Sequence, residues 1–201
     1  KVKFRRDRIG YVLQRKNLLP FLTVWENIIY PLQIHGKYSS DVEQDVLKYL
    51  KKFNIEDRKD HYPSQLSGGE LQRVTIIRAL VKKADIILCD EPTGEVDSKT
   101  KYQIMEDLLQ VIQENPNIAI LIVSHDSEMR TIADKLMYIK DGQISSLLTK
   151  AEMQKLGLPT FEMIKSSEVE GKSKFLNEDI LLELKEMEDY IRKKINTYSK
   201  Q

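Results

Sequence analysis

The sequence predicts an α/β protein with a mostly parallel sheet, and three observations predict this fold. Residues 86–89 and 118–123 are unbroken apolar runs, typical of strands that are buried on both faces of a parallel sheet. A helical pattern lies before each run, as in chains that alternate helices and strands. Polar residues follow each run, Asp90-Glu91 after the first and Ser124-His125 after the second. Open α/β sheets bind ligands at the carboxyl ends of their strands, so Asp90, Glu91 and His125 are candidate site residues.

Composition sets limits on the kind of protein. At 201 residues with 41% hydrophobic residues, we expect one domain, or one domain with an appendage. The 32 basic and 31 acidic residues give a net charge of +1, so we expect no nucleic-acid partner. The single cysteine, Cys89, lies in a predicted buried strand and suits a reducing cytosol. No apolar run approaches the ~18 residues of a membrane span, and no signal peptide is visible.

The first half of the chain predicts one strand and a group of helices. Residues 9–13 are predicted as a strand, and Gln14 lies at its carboxyl end. Thr23 and Glu26 have the spacing of a capping box, which opens a helix that Pro31 ends or kinks. Residues 41–53 carry apolar side chains at helical spacing. The apolar and aromatic residues at 17–36 predict the core of a small helical subdomain.

A polar loop precedes the next helix and has the features of an anion site. Ser67 and Glu70 have capping-box spacing, and Gly68 and Gly69 lie between them without side chains. Free N–H groups and the positive end of the helix dipole favour anions at such a start. An ordinary capped helix is the alternative interpretation. Two adjacent glycines count against it, because they lower helix stability.

Two acids follow the apolar run at 86–89. One carboxylate, such as Asp90, can hold a hydrated Mg²⁺, and the next, Glu91, can orient or deprotonate an attacking water. The alternative interpretation is structural, because acids commonly end strands. His125 ends the second run in the same way, and a lone histidine there is more often structural than catalytic.

Together these segments resemble the nucleotide-binding domain of ATP-binding cassette (ABC) proteins, whose cassette fold is P-loop NTPase-like. LSGGE at 66–70 is similar to the family's signature, IILCDE at 86–91 to its Walker B strand, and Glu95-Val96-Asp97 to its D-loop. Val96 and Glu70 depart from the usual leucine and glutamine at these positions. The resemblance covers about residues 1–148, with a helical subdomain at about 18–72.

The resemblance implies roles in binding and hydrolysing ATP. Gln14 resembles the Q-loop glutamine, which contacts Mg²⁺ and water, and Asp90 would hold Mg²⁺ through water. Glu91 would be the base or water-orienting group, and His125 resembles the H-loop histidine at the γ-phosphate. ATP and Mg²⁺ are therefore the expected cofactors.

The resemblance also implies two kinds of partner. Family members work as head-to-tail dimers, in which Ser67, Gly68 and Gly69 would contact the ATP of a second cassette and Asp97 would belong to the D-loop. The expected partners are a second ABC subunit and an integral membrane permease that contacts the region after Gln14. This implies a cytoplasmic protein, peripheral on the inner face of the cell membrane.

The 201 residues contain no phosphate-binding loop of the form G-x-x-x-x-G-K-[ST]. Gly171-Lys172-Ser173 is a false match, because Ser166 stands where the first glycine belongs. In the family this Walker A loop lies upstream of the Q-loop, so we expect a longer native protein. Residues 1–201 alone are expected to bind ATP poorly.

Residues 10–32 and DEPTGEVD at 90–97 most resemble ATPases of lipoprotein release, of macrolide and antimicrobial-peptide export, and of cell division. The first hypothesis is an ATPase subunit that drives a separate membrane permease. A non-catalytic subunit or truncated copy that donates only its signature is the second. A regulator of cell division is the third.

Residues 149–201 differ from the rest of the chain. Residues 165–174 are predicted to be a polar linker. Residues 177–196 are predicted to form an amphipathic helix, because apolar residues recur every three or four positions. Such a stripe usually docks on its own domain or on a dimer mate.

Overall fold

The computed structural model describes residues 2–14, 17–140 and 143–161. The predicted linker at 165–174 and helix at 177–196 lie outside the described residues. The chain divides into two compact units, Lys1–Asp126 and Ser127–Gln201. The domain boundary after residue 148 came from the extent of the family resemblance, and it stays a prediction.

The first unit contains a parallel sheet of three strands. β1 (Ile9–Val12), β2 (Ile86–Asp90) and β3 (Ala119–Val123) lie in the order β1-β2-β3. Val12 is opposite Cys89, and Asp90 is opposite Val123. The predicted parallel strands are confirmed, and their carboxyl ends lie at one edge of the sheet.

Burial of the sheet differs from the prediction. Ile87 and Cys89 are buried, whereas Tyr11, Leu121 and Val123, which point to the opposite face, are exposed. The expectation that these strands are buried on both faces is therefore wrong for the described part of the chain. Side chains alternate between the two faces of a strand, and α4 (Gly68–Leu80) packs on only one of them.

Close packing of α4 on the sheet depends on a glycine in β1. A Cβ on Gly10 would lie 3.2 Å from Ala79 Cβ and 3.3 Å from the Ala79 carbonyl oxygen. The absence of a side chain at residue 10 therefore brings α4 directly against β1. This contact sets the position of the C-terminal end of α4 relative to the strands.

Three helices precede α4. α1 (Val2–Arg8) leads into β1 and was not predicted, while α2 (Val24–Ile34) and α3 (Ser40–Lys52) match the predicted helices. The Thr23 capping box is present, with Thr23 N–H donating to Glu26 Oε2 at 2.8 Å. α2 continues through Pro31, so the proline does not end it. Ile28 and Leu32, buried on either side of Pro31, keep the helix packed.

Two short 3₁₀ helices, Glu56–Arg58 and Pro63–Gln65, connect α3 to α4. α5 (Ser98–Glu114) then joins β2 to β3. α4 and α5 are linked by an ion pair, in which Arg73 Nε lies 3.2 Å from an oxygen of the buried Asp107. Arg73 therefore helps to hold α4 against α5.

The second unit begins with a 3₁₀ helix at Ser127–Ile132. β4 (Lys135–Lys140) and β5 (Gln143–Thr149) form an antiparallel pair, which has an irregularity between Tyr138 and Ile139. α6 (Lys150–Lys155) follows and is capped by Thr149. In the part of the chain that the structure describes, no helix is both long and apolar enough to span a bilayer.

Cys89 is expected to be unreactive in the folded protein. Burial raises the pKa of its thiol to about 12, so almost no thiolate forms near neutral pH, and the sulfur lies inside the sheet. Iodoacetamide at pH 8 should leave Cys89 unlabelled in the native protein and modify it after urea denaturation, as measured by mass spectrometry of the peptide that contains it. Equal labelling rates before and after denaturation would contradict this burial.

Candidate functional site

Glu91 follows β2 in an unusual backbone conformation. Its φ is +48°, in the left-handed region that non-glycine residues rarely adopt. Its N–H donates to the Val123 carbonyl at 2.9 Å, which extends the β2–β3 pairing to this residue. Such strain persists only where surrounding contacts hold it, and it is common at functional sites.

The Glu91 carboxylate is held by residues that follow β3. Ser124 Oγ donates to Oε2 at 3.0 Å, and the His125 N–H donates to Oε1 at 3.0 Å. His125 Nδ1 lies 2.7 Å from the same Oε1. An ionised carboxylate can only accept, so Nδ1 carries the proton in this contact. The structure therefore brings together the ends of β2 and β3, as the sequence predicted.

These donors keep Glu91 charged. Desolvation by burial is the largest single influence and raises its pKa, but the contacts from the His125 ring, the His125 N–H and Ser124 together outweigh it. The net effect lowers the pKa of Glu91, so the side chain is ionised at neutral pH. Its side chain is 16% exposed, whereas that of His125 is 81% exposed. The pair thus has a sheltered carboxylate and an imidazole that faces solvent.

Gln14 and Asp90 lie at the same edge of the sheet. Gln14 follows β1, and its Nε2 lies 3.8 Å from the position that a Cβ on Gly94 would occupy. Asp90 is the exposed last residue of β2. Carboxylate and amide oxygens are ligands that suit Mg²⁺, so the donor types fit this ion. Among the described residues, no three His, Cys, Asp or Glu side chains group as a metal site.

The loop at the start of α4 has the predicted reciprocal cap. Ser67 N–H donates to Glu70 Oε2 at 2.8 Å, and Ser67 Oγ accepts from the Glu70 N–H at 3.2 Å. Arg58 Nε also contacts Glu70 Oε1 at 3.0 Å. No hydrogen bond described in the structure uses the N–H groups of Gly68 and Gly69. Gly68 is partly exposed, whereas Gly69 is buried.

Gly69 has a packing role that the sequence did not reveal. A Cβ at this position would lie only 2.2 Å from Thr100 Cγ2. The absence of a side chain thus lets the first turn of α5 approach the loop. Asp97, the predicted D-loop residue, caps this turn, because its carboxylate accepts from Thr100 N–H at 3.0 Å and Thr100 Oγ1 at 2.6 Å.

Sequence reasoning missed a second set of polar residues beside Glu91. Ser124 contacts the carboxylate directly, and Asp126 forms an ion pair with Lys101, with Nζ and Oδ2 2.9 Å apart. Thr93 Oγ1 donates to the same oxygen at 3.5 Å. Ser124 and Asp126 flank His125 in the chain, and this position could have indicated that they belong to the site. Nothing in the sequence pointed to Lys101 or Thr93.

A small cavity lies elsewhere in the first unit. Its volume is about 90 Å³, and none of the predicted site residues lines it. Basic and apolar side chains line it: Arg6, Ile28, Pro31, Leu32, His35, Lys37, Arg78 and Lys82. This cavity is therefore not part of the candidate site.

Comparison with known proteins agrees with this geometry. Residues 1–94 match the family model described as "ABC transporter". The ABC transporter ATP-binding protein YtrE of Bacillus subtilis is 39% identical over 147 residues, which are 73% of this chain and 63% of YtrE. The lipoprotein-releasing system ATP-binding protein LolD of Bdellovibrio bacteriovorus is 40% identical over 144 residues, or 72% of this chain and 65% of LolD. The chain thus spans less than two thirds of these relatives.

A solved structure shows the same fold. It is the dimeric, post-hydrolysis state of the ATP-binding cassette MJ0796 of Methanocaldococcus jannaschii, bound to ADP and Pi. The match has a TM-score of 0.64 and 38% identity, and it covers 74% of this chain and 65% of that one. The predicted α/β cassette fold is confirmed, and the chain belongs to the family of ABC transporter ATP-binding proteins.

Proposed function

We propose that the protein is the ATP-binding subunit of an ABC transporter and hydrolyses ATP to drive a separate membrane permease. The observation that carries this proposal is the Glu91 carboxylate, held ionised by Ser124 and His125 at the carboxyl end of the sheet. An ionised carboxylate in a sheltered position is suited to orient or deprotonate an attacking water. A chain that only donates its signature would not need this arrangement.

Four residues would serve the nucleotide bound to this chain. When bound, ATP would supply the phosphoryl group, and Mg²⁺ would offset the negative charge of the phosphate oxygens. Asp90 and Gln14 have the oxygen donors to hold the ion, with Asp90 acting through water. Glu91 would orient the water. The exposed ring of His125 would contact the γ-phosphate.

The loop of Ser67, Gly68 and Gly69 would serve the nucleotide of a second cassette. Support comes from the position of the two glycines at the start of α4, where the helix dipole favours anions. No described hydrogen bond joins this loop to Gln14, Glu91 or His125. In this proposal the two sets of residues act on different nucleotides of a homodimer or a pair of ABC subunits.

The segment after Gln14 is the proposed contact with the permease. Its loop is held by Asn27, whose side chain accepts from the Leu19 N–H at 2.7 Å and donates to the carbonyls of Leu19 and Leu22. Phe21 is 70% exposed on this rigid loop. An exposed aromatic residue on an ordered loop suits a protein partner. Contact with a permease would place the protein on the inner face of the membrane, and LolD suggests release or export as the transport class.

Ser67→Asp in the full-length protein tests the proposed dimer. Aspartate caps helices as well as serine does, so the fold should be kept, but its charge would face the partner's γ-phosphate. We expect loss of ATP-dependent dimerisation, measured by light scattering, and loss of ATP hydrolysis.

Ser67→Asn is the matched control, because asparagine also caps helices and is neutral. Both variants should melt within a few degrees of the wild type. If Ser67→Asp dimerises and hydrolyses ATP as Ser67→Asn does, the loop does not contact the partner's nucleotide.

A further inference from the structure

We propose that Lys101, in the first turn of α5, is a positioning residue for the Glu91 carboxylate. It would act through Asp126 and Ser124 and touch neither the nucleotide nor the water. This inference rests on the proposed hydrolysis by Glu91. It assigns a role to a side chain outside the signature, the Walker B strand and the H-loop histidine.

The first contact in this path is an ion pair. Lys101 Nζ lies 2.9 Å from Asp126 Oδ2, and the two side chains are only 20% and 17% exposed. Thr93, itself buried, donates to the same oxygen. Partly buried pairs are screened less by salt than surface pairs, so loss of Lys101 would weaken the hold on the Asp126 carboxylate. The pair therefore restrains the backbone of Asp126.

The second contact sets the direction of the Ser124 hydroxyl. The Asp126 N–H donates to Ser124 Oγ at 3.0 Å. A hydroxyl has one proton to donate, and Ser124 Oγ lies 3.0 Å from Glu91 Oε2. Because the Asp126 N–H occupies a lone pair, the proton is directed to the carboxylate. Any shift of the Asp126 backbone would loosen this bond and the neighbouring bond from the His125 N–H.

The other end of the path is the rigid start of α5. Asp97 caps this turn through Thr100, and the Thr100 methyl group fills the space left by Gly69. Lys101 therefore extends from a turn that is fixed at both its cap and its contact with the signature loop. Because the backbone of Lys101 is fixed, its ammonium group can hold the Asp126 carboxylate in place.

Lys101→Met in the full-length protein tests the proposal. Methionine keeps much of the apolar stem and removes the charge. We expect kcat for ATP hydrolysis to fall about tenfold, with KM for ATP within about twofold of wild type, as for loss of an interaction made only in the transition state. Lys101→Arg should restore most of the activity, because arginine can still pair with Asp126. Lys99→Met, an exposed position in the same turn, should match the wild type.

A second measurement does not depend on activity. Without nucleotide, the amide resonances of Ser124, His125 and Asp126 should shift in Lys101→Met and stay unchanged in Lys99→Met. Unchanged resonances in Lys101→Met would overturn the proposal. If Lys101→Met does not fold, Asp126→Asn removes the same ion pair and should show the same loss of kcat.

The two proposals fail in different ways. Wild-type hydrolysis by Glu91→Gln would reject the proposed role of Glu91, and with it the role of Lys101. Loss of hydrolysis in Glu91→Gln together with a wild-type kcat in Lys101→Met would reject only the positioning role.

Discussion

Glu91→Gln in the full-length protein is expected to slow ATP hydrolysis by about 10²–10³-fold while ATP binding persists. The amide cannot take a proton from water, and it no longer carries the charge that orients the Ser124 and His125 donors. Binding should survive because the proposed contacts to the phosphates come from other residues. Phosphate release measures the first effect and a fluorescent ATP analogue the second.

Glu56→Gln is the matched control for this result. It makes the same chemical change at an exposed carboxylate in the 3₁₀ helix Glu56–Arg58. Its hydrolysis rate should equal that of the wild type. If Glu91→Gln also turns over ATP at the wild-type rate, the water-orienting role is wrong, and a chain that only donates its signature becomes the better interpretation.

Gly69→Ala is expected to destabilise the protein by about 1–3 kcal/mol, in the range of overpacked sites. An alanine Cβ would lie 2.2 Å from Thr100 Cγ2, so the starts of α4 and α5 would have to separate. Alanine is otherwise the better helix former by up to about 1 kcal/mol, so intrinsic propensity alone predicts the opposite sign. Urea denaturation of the full-length protein measures the free energy of unfolding.

Thr100→Ser should rescue this variant. Serine lacks the methyl group that would clash and keeps the hydroxyl and N–H that donate to Asp97. The double variant should recover most of the lost free energy, while Thr100→Ser alone should change stability by less than about 1 kcal/mol. A double variant as unstable as Gly69→Ala would show that the Thr100 methyl group is not the cause. Stability is the readout because Gly69 also belongs to the proposed nucleotide-contact loop.

Local patterns in the sequence predicted most of the elements that carry the site. The capping boxes at Thr23 and Ser67 depend on residues three positions apart, so their partners could be read from the chain. The strands were visible as apolar runs, and their parallel order placed Glu91 and His125 at one edge. The contact between those two side chains was not predicted and is visible only in the structure.

Burial of the sheet could not be read in the same way. The apolar run at 118–123 looked like a strand covered on both faces, yet Leu121 and Val123 are exposed in the described structure. An apolar run shows which side chains are hydrophobic. It does not show which element, if any, covers each face of the strand. That depends on where α4 packs.

By itself, the sequence determined the family, the parallel strands, the capped glycine loop and the placement of Glu91 and His125 at one edge of the sheet, because each depends on short motifs or on their order. Only the tertiary structure decided that Gly69 makes room for Thr100, and that Lys101 reaches Asp126 beside Glu91. These contacts join residues that are far apart along the chain. Their proximity depends on the path of α4, β2 and α5 together, which no local pattern encodes.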